Sequence, residues 1–284
     1  VAQEMKGKIC LVTGATLGIG KETALGLARM GAQVVIVGRD AARTKETAAW
    51  IARESGNSQI DFLVADLSLQ AEVRRLAEVF KSRYARLDVL LNNAGAIFTR
   101  RELTAEGFER TWALNHLAEF LLTHLLLERL EASAPARIVN VASRAHVRGS
   151  MDFDNLQGEK KYGGMNAYCR SKLANIMFTY ALARRLTGAG VTANCLHPGV
   201  VATGFGRNTP GLFRTLIGLA RPLLITPEKG ALTSIYLASS PEVANVSGKY
   251  FDKCKPIDSS ARSLDIDAQE RLWALSETQT NLTN

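Results

Sequence analysis

Short apolar runs alternate with longer amphipathic stretches along most of this chain. Residues 8–13 form one such run, which stops at Gly14. A run this short, closed by a turn residue, reads as a buried strand of a parallel sheet. After it, Ala24, Leu25, Leu27 and Ala28 recur at helical spacing, and Gly31 stands where it would close the helix. The alternation continues with strands at 33–37, 60–65 and 88–91 and helices at 41–55 and 69–84. Residues 104–131 carry a helical period through Phe108, Trp112, Leu117, Phe120, Leu121 and Leu125, interrupted by the polar pair Asn115-His116. A fifth strand spans 137–143. A polar, glycine-containing stretch, 144–165, leads to a helix that runs through Tyr168 to about 187. A sixth strand, 191–197, is broken by Pro198-Gly199. A further helix starts at Thr226-Pro227-Glu228, with proline at its first position. A last strand at 248–251 and a terminal helix at 265–277 containing Trp273 complete the pattern.

Strands alternating with helices of this length predict an α/β fold. The expectation is a single doubly wound Rossmann domain over 1–284, a parallel sheet of about seven strands with helices on both faces. Residues 203–226 are too long and too apolar for a plain connector, with Leu212, Phe213 and Leu219 between Pro210 and Pro222. They read as a lid or substrate loop. The alternative is an amphipathic surface helix touching lipid or a partner. Residues 252–284 are a C-terminal extension.

Ligands of such sheets collect at the carboxyl ends of the strands. Gly14, Gly18, Ile19 and Gly20 lie between the first strand and a helix N-terminus. Glycine there allows a tight turn and close approach of the backbone, and the free N–H groups with the helix dipole favour a phosphate. The alternative is a tight β–α turn without a ligand. The second strand ends in Gly38-Arg39-Asp40. An acidic residue at that point would bond a ribose 2′-hydroxyl, whereas an arginine suits a 2′-phosphate. Arg39 therefore favours NADP(H), with NAD(H) as the alternative. Asp66-Leu67, Asn92, Gly95 and Ser143 also fall at strand ends. Tyr168 and Lys172 are one helical turn apart and stack on one face. They are either an ordinary helix pair or an acid/base pair in which the ammonium favours the phenolate. Asn115 is either a satisfied core amide or a site residue.

Composition narrows the field. The chain has 284 residues, 46% hydrophobic and 22% charged, enough for a sizeable core and unlike a disordered segment. No apolar run approaches the ~18 residues of a membrane span, and the first residues show no signal-peptide pattern. Net charge is +8, but basic and acidic residues are interleaved without a dense basic block. No nucleic-acid partner is expected, and the positive surface suits an anionic cofactor. The cysteines Cys10, Cys169, Cys195 and Cys254 are scattered, which fits a reducing, cytoplasmic compartment without disulfides. His116, His124, His146 and His197 show no metal-ligand spacing, so no metal site is expected.

Taken in order, Thr13-Gly14-x-x-x-Gly18-Ile19-Gly20, Asp66, Asn92-Asn93-Ala94-Gly95, Asn115, Ser143, Tyr168-x-x-x-Lys172 and Pro198-Gly199 resemble the short-chain dehydrogenase/reductase superfamily. The resemblance runs from about residue 6 to 251. It implies that Gly14, Gly18, Ile19 and Gly20 hold the pyrophosphate, that Asp66 bonds the adenine amino group, and that Leu67 lines the same site. It implies that Asn92, Ala94 and Gly95 steady the central strand and line the cofactor. Asn115, Ser143, Tyr168 and Lys172 match the catalytic tetrad. Pro198 and Gly199, with Val201 and Thr203 after them, resemble the segment that holds the nicotinamide carboxamide. In that scheme Tyr168 exchanges the proton, Ser143 holds the substrate oxygen, Lys172 tunes Tyr168 and binds the ribose, and Asn115 carries a water. Ser247-Gly248-Lys249-Tyr250-Phe251-Asp252-Lys253-Cys254-Lys255, Ala268-x-x-Arg271-Leu272-Trp273-x-x-Ser276-Glu277, the opening Gly18-Ile19-Gly20-Lys21-Glu22-Thr23-Ala24, and Cys169 beside the tyrosine resemble the retinol dehydrogenase-like branch. That branch implies apolar aldehyde, ketone or retinoid-like substrates, a small-molecule carbonyl or alcohol, with NADP(H). Peripheral membrane contact and a homodimer are the associations it leaves open. The 144–165 stretch is longer than in the shortest relatives, which stands against their usual tetramer. A cofactor-sensing binding protein on the same fold is the competing function.

Overall fold

The computed structural model describes residues 4–199 and 225–282. The elements run β1 (Ile9–Thr13), α1 (Gly18–Arg29), β2 (Gln33–Gly38), α2 (Ala41–Ser55), β3 (Ile60–Val64), α3 (Gln70–Arg83) and β4 (Val89–Asn92). A helix in three parts follows: α4 (Arg110–Trp112), a π-helical segment Ala113–Leu117, and α5 (Ala118–Glu131). Then come β5 (Ala136–Val141), a 3-10 turn Arg144–Arg148, α6 (Gly164–Arg185) and β6 (Val191–His197). After the undescribed stretch come α7 (Pro227–Ser239), β7 (Tyr250–Asp252), β8 (Lys255–Ile257) and α8 (Ile266–Gln279).

The strands form one sheet in the order β3-β2-β1-β4-β5-β6-β7-β8, parallel except for the antiparallel β7–β8 pair. The chain steps outward from β1 to β3, then returns to start β4 on the other side of β1. That reversal opens a crevice above the carboxyl ends of β1 and β4. Successive strand residues point to opposite faces. Leu11, Val35, Val37 and Leu90 therefore pack into one core with α3, α5 and α6, while Cys10, Val12, Val34, Ile36 and Leu91 pack into another with α1, α2 and α7.

Two predicted elements change. The 104–131 helix starts only at Arg110, because Leu103 and Glu109 form an antiparallel bridge and the Glu109 carboxylate accepts from Thr111 N (2.8 Å) and Trp112 N (2.9 Å). A buried acid thus supplies the N-cap. The sheet also gains β8, through a two-residue turn in which Lys253 and Cys254 both have positive φ. That turn lacks the Asn-Gly signal that marks such hairpins in sequence.

The C-terminal helix covers α5 and α6. Trp273 lies 5.2 Å from Phe120 and 5.8 Å from Phe178 between ring centroids, with the Arg185 guanidinium 3.8 Å above its ring. No helix among the described residues is long and apolar enough to cross a membrane.

Candidate active site

The glycine turn and the loop after β4 are built against each other. Gly14 has φ 63°, and a Cβ there would lie 2.8 Å from Ala94 Cα. A Cβ on Gly20 would meet Asn93 Nδ2 at 2.5 Å and Gly14 O at 2.6 Å. Asn93 fastens the two segments: its Nδ2 donates to Thr13 O (2.9 Å) and Gly14 O (3.1 Å), and its backbone N–H donates to Thr13 Oγ1 (2.9 Å). Leu17, at the N-cap of α1, makes no side-chain cap, and the first turn carries no acid. The opening N–H groups of α1 are left for an anion.

A cavity of about 380 Å³ follows from this turn along the strand ends. Of the residues anticipated from sequence, Gly14, Gly18, Ile19, Gly20, Arg39, Asp66, Leu67, Ala94, Gly95, Tyr168, Lys172 and Pro198 line it. Thr16, Leu17, Arg43, Ser68, Asn93 and Ala96 line it as well and were not anticipated. Arg43 lies in the first turn of α2, just after the β2 end that carries Arg39, so the helix start brings it to the same strand end. Asp66 Oδ1 is held by Ser68 N (3.0 Å) and Ser68 Oγ (2.7 Å), which fixes the carboxylate at the cavity edge.

Asn92 does not line the cavity. It lies two residues past Leu90 and shares that residue's face, so its Nδ2 turns into the core and donates to Thr123 Oγ1 and Asn140 Oδ1, each at 3.0 Å. Its place at the cavity is taken by Asn93. Gly199 has φ 87° and packs toward Ile225, outside the lining. Val201 and Thr203, and the 203–226 loop up to residue 224, lie outside the described residues.

The tetrad residues come together at the far end. Tyr168 is buried, and the Ser143 hydroxyl hydrogen-bonds its phenol. Ser143 Oγ also accepts from Ala145 N at 3.1 Å, capping the 3-10 turn. Lys172 Nζ donates to Val141 O at 2.7 Å and sits 6.0 Å from the Tyr168 ring centroid. Gly95 leaves room for this cluster: a Cβ there would lie 3.3 Å from Asn115 Oδ1 and 3.4 Å from Lys172 Nζ. Asn115 sits in the π-helical segment and is fully buried. Its Oδ1 accepts from Ala96 N (2.9 Å), and its Nδ2 donates to Ala96 O (3.0 Å) and Ser171 Oγ (2.9 Å). The side chain is therefore a clamp between the β4 loop and α6.

Burial dominates the titration of the site. It pushes the Tyr168 phenol up to about 12, with the Ser143 hydrogen bond pulling the other way. It pulls the Lys172 ammonium down to about 8, opposed by Glu119 wherever that carboxyl is ionised. At the phenol, the hydrogen bond from Ser143 opposes burial. The phenol of Tyr168 and a lysine titrating near neutrality line the cavity, while Ser143 and Asn115 stand behind that lining, Ser143 with its hydroxyl on the phenol. That arrangement can polarise and protonate a carbonyl oxygen, or deprotonate an alcohol. Among the described residues, no group of three His, Cys, Asp or Glu is placed to hold a metal.

The short chain dehydrogenase family matches residues 8–210. The chain belongs to that family. As a short-chain dehydrogenase it is an NAD(P)-dependent oxidoreductase acting on a small-molecule substrate. Within the family it is retinol dehydrogenase-like. It is 44% identical to retinol dehydrogenase 12 of Mus musculus over 273 residues, covering 96% of this chain and 86% of the relative. It is 43% identical to retinol dehydrogenase 14 of Homo sapiens, covering 98% and 88%. Among solved short-chain dehydrogenase-like folds, a protein from Mycobacterium Paratuberculosis superposes with TM-score 0.79 at 32% identity, covering 97% of this chain and 94% of that one. The Pseudomonas aeruginosa RhlG/NADP active-site complex superposes with TM-score 0.71 at 30% identity, covering 88% and 96%.

Proposed function

We propose that this short-chain dehydrogenase uses NADP(H) to interconvert an alcohol and a carbonyl on an apolar aldehyde, ketone or retinoid-like substrate. The observation that carries the cofactor reading is the pair Arg39 and Arg43, both exposed and both lining the cavity where β2 ends. Among the described residues, the acid at the same strand end, Asp40, is turned away to cap α2 through Arg43 N at 2.8 Å. Two guanidinium groups suit a phosphate better than a neutral hydroxyl. The apolar substrate class rests on the likeness to proteins named retinol dehydrogenases.

The residues fit a dinucleotide. The glycine turn and the uncapped start of α1 would take the pyrophosphate, Asp66 the adenine end, and Lys172 with Tyr168 the nicotinamide ribose. When bound, the nicotinamide supplies or accepts the hydride. Tyr168 gives its phenolic proton to the carbonyl oxygen in reduction and takes it back in oxidation. Ser143 donates to the oxygen on which negative charge develops. Lys172, while charged, stabilises the phenolate that Tyr168 becomes.

The test is a panel of aldehydes, ketones and alcohols assayed with NADPH, NADP⁺, NADH and NAD⁺. Turnover of apolar carbonyls with at least tenfold preference for the phosphorylated cofactor supports the proposal. Equal use of both cofactors removes the role given to Arg39 and Arg43. Tight cofactor binding with no turnover on any substrate would favour a cofactor-sensing protein.

A further inference from the structure

Glu119 opens α5, one turn after Asn115, and is only 6% exposed. Asn115 reaches Ser171 across the helix interface, and one turn further Glu119 reaches Asn175 in the same way, Asn175 Nδ2 and Glu119 Oε2 being 2.5 Å apart. The other carboxyl oxygen, Oε1, is buried and has no hydrogen-bond partner. It belongs to a residue that lines a small cavity of about 10 Å³ with Thr13, Asn92 and Leu122. A carboxylate seeks several donors, so one donor and a bare second oxygen describe a carboxylic acid. The 2.5 Å separation is the length of an O–H···O contact and short for N–H···O. Asn175 Oδ1 is also buried without a partner, so exchanging the oxygen and nitrogen of that amide gives up no hydrogen bond to Oδ1 and produces that contact.

Lys172, three residues before Asn175 on α6, is 4% exposed, and burial weakens its hold on its proton while a negative charge on Glu119 would strengthen it. The Lys172 ammonium from α6 is the charged group that acts on the Glu119 carboxyl; the Cys195 thiol from β6 feels the Glu119 charge in turn, and burial keeps that thiol neutral. His116, three residues earlier on the same helix, is buried and neutral and faces Ser276. The sides toward β1, β4 and the following loops present Thr13, Asn92, Leu67 and Ala94, none of which titrates.

We propose that Glu119 is a buried proton reserve for Lys172: a neutral acid that ionises in place of the ammonium as pH rises and so keeps Lys172 charged. Glu119 is a positioning residue for the proton chemistry and touches neither substrate nor cofactor. The proposal rests on the role given to Lys172 under the proposed function. Burial raises the Glu119 carboxyl far above the usual carboxylate range, with the Lys172 charge and the Asn175 contact opposing it. Burial thus moves the two groups toward each other, the acid upward and the ammonium downward, and the charge between them couples their titrations.

The test is the pH dependence of kcat for Glu119→Gln beside wild type, with saturating cofactor. Glutamine keeps the shape and the Asn175 contact but cannot ionise. The alkaline limb of kcat, where Lys172 loses its charge, is expected to move to lower pH by about one unit. The KM for cofactor at pH 6 is expected to stay within about twofold, since Lys172 is charged in both proteins there. A limb that coincides with wild type overturns the proposal, even if the variant is less stable. Infrared difference spectra of the wild-type enzyme give a measurement independent of folding. A protonated-carboxyl band that disappears over the alkaline limb supports the reserve. Its absence at neutral pH overturns it. Tyr168→Phe separates the two levels: normal turnover by that variant ends the proposed mechanism, whereas an unshifted Glu119→Gln profile ends only the reserve.

Discussion

Asn115→Ala tests whether this side chain is a structural clamp. The variant removes three hydrogen bonds, two to the Ala96 backbone and one to Ser171 Oγ. The Ser171 contact is fully buried, and losing it costs about 1–3 kcal/mol. The Ala96 contacts are part-buried and water can replace the amide there, so each costs about 0.5–1.5 kcal/mol. The expected loss is therefore about 2–6 kcal/mol, read as a lower urea midpoint at unchanged slope. Activity falls too, because Ala96 belongs to the cavity wall and Ser171 sits between Tyr168 and Lys172 in α6. Asn115→Asp sharpens the test. The carboxylate still accepts from Ala96 N, but it opposes two acceptors: Ala96 O and a Ser171 Oγ whose hydrogen is already given to Tyr168 O at 2.8 Å. Its stability should rise toward that of wild type as pH falls and the carboxyl gains a proton to donate. An Asn115→Ala variant within about 0.5 kcal/mol of wild type would refute the clamp.

Tyr168→Phe should lower kcat by about 10²–10⁴ while the KM for cofactor changes little, in steady-state assays of reduction. Arg39→Ala should raise the KM for NADPH by roughly 10- to 150-fold and leave that for NADH unchanged, and Arg43→Ala should act in the same direction. Asp88 takes Lys8 Nζ (2.9 Å), Arg86 Nη2 (2.6 Å) and Ile9 N (2.9 Å) at the end of the sheet away from the cavity. Burial works to raise its carboxyl, but these donors outweigh burial and hold it below the usual value. A depressed folded value stabilises above the unfolded one and is lost as pH falls through the folded one. Asp88→Asn should therefore lower Tm at pH 7, and the gap to wild type should close below about pH 4.

How much of this was legible depended on whether the signal was local. The glycine turn, the β2-end arginine and the Tyr168–Lys172 spacing are each fixed by a few neighbouring residues, and the folded chain gathers them at one crevice. Asn92 was legible in principle. It is still inside β4, whose two faces are both packed, so its side chain enters a core whichever way it points, whereas Asn93 lies beyond the strand end. Asn93 and Arg43 needed the next step, the question of which neighbour of a marked residue faces the ligand. The π-helical segment around Asn115 left no sequence mark beyond a polar interruption, because its cause is tertiary: the side chain bonds Ala96 and Ser171, far apart in the chain. His146 was equally hidden. Its Nδ1 faces Ser143 O at 2.8 Å and its Nε2 accepts from Ser260 N at 3.1 Å, so a residue of the C-terminal extension helps fix the turn of the site serine.

α6 shows how one helix can carry several jobs at once. Each residue advances about 100° around the axis, so near neighbours meet different partners. Tyr168 and Lys172 face the cavity. Arg170 points elsewhere and binds the backbone carbonyls of Asn155 and Leu156, holding the loop that precedes the helix. Ser171 and Asn175 face the π segment and α5, where Asn115 and Glu119 meet them. Met177 and Phe178 reach the cores shared with α8, whose Trp273 stacks near Phe178. Tyr168 and Lys172 are thus fixed from behind by polar contacts and from the far side by aromatic packing. Side chains locked this way keep the phenol and ammonium in place when substrate changes. On the proposed mechanism, variation in substrate comes from the loops at the strand ends, and changes in proton chemistry from the residues behind the helix, Asn115 and Glu119 first among them.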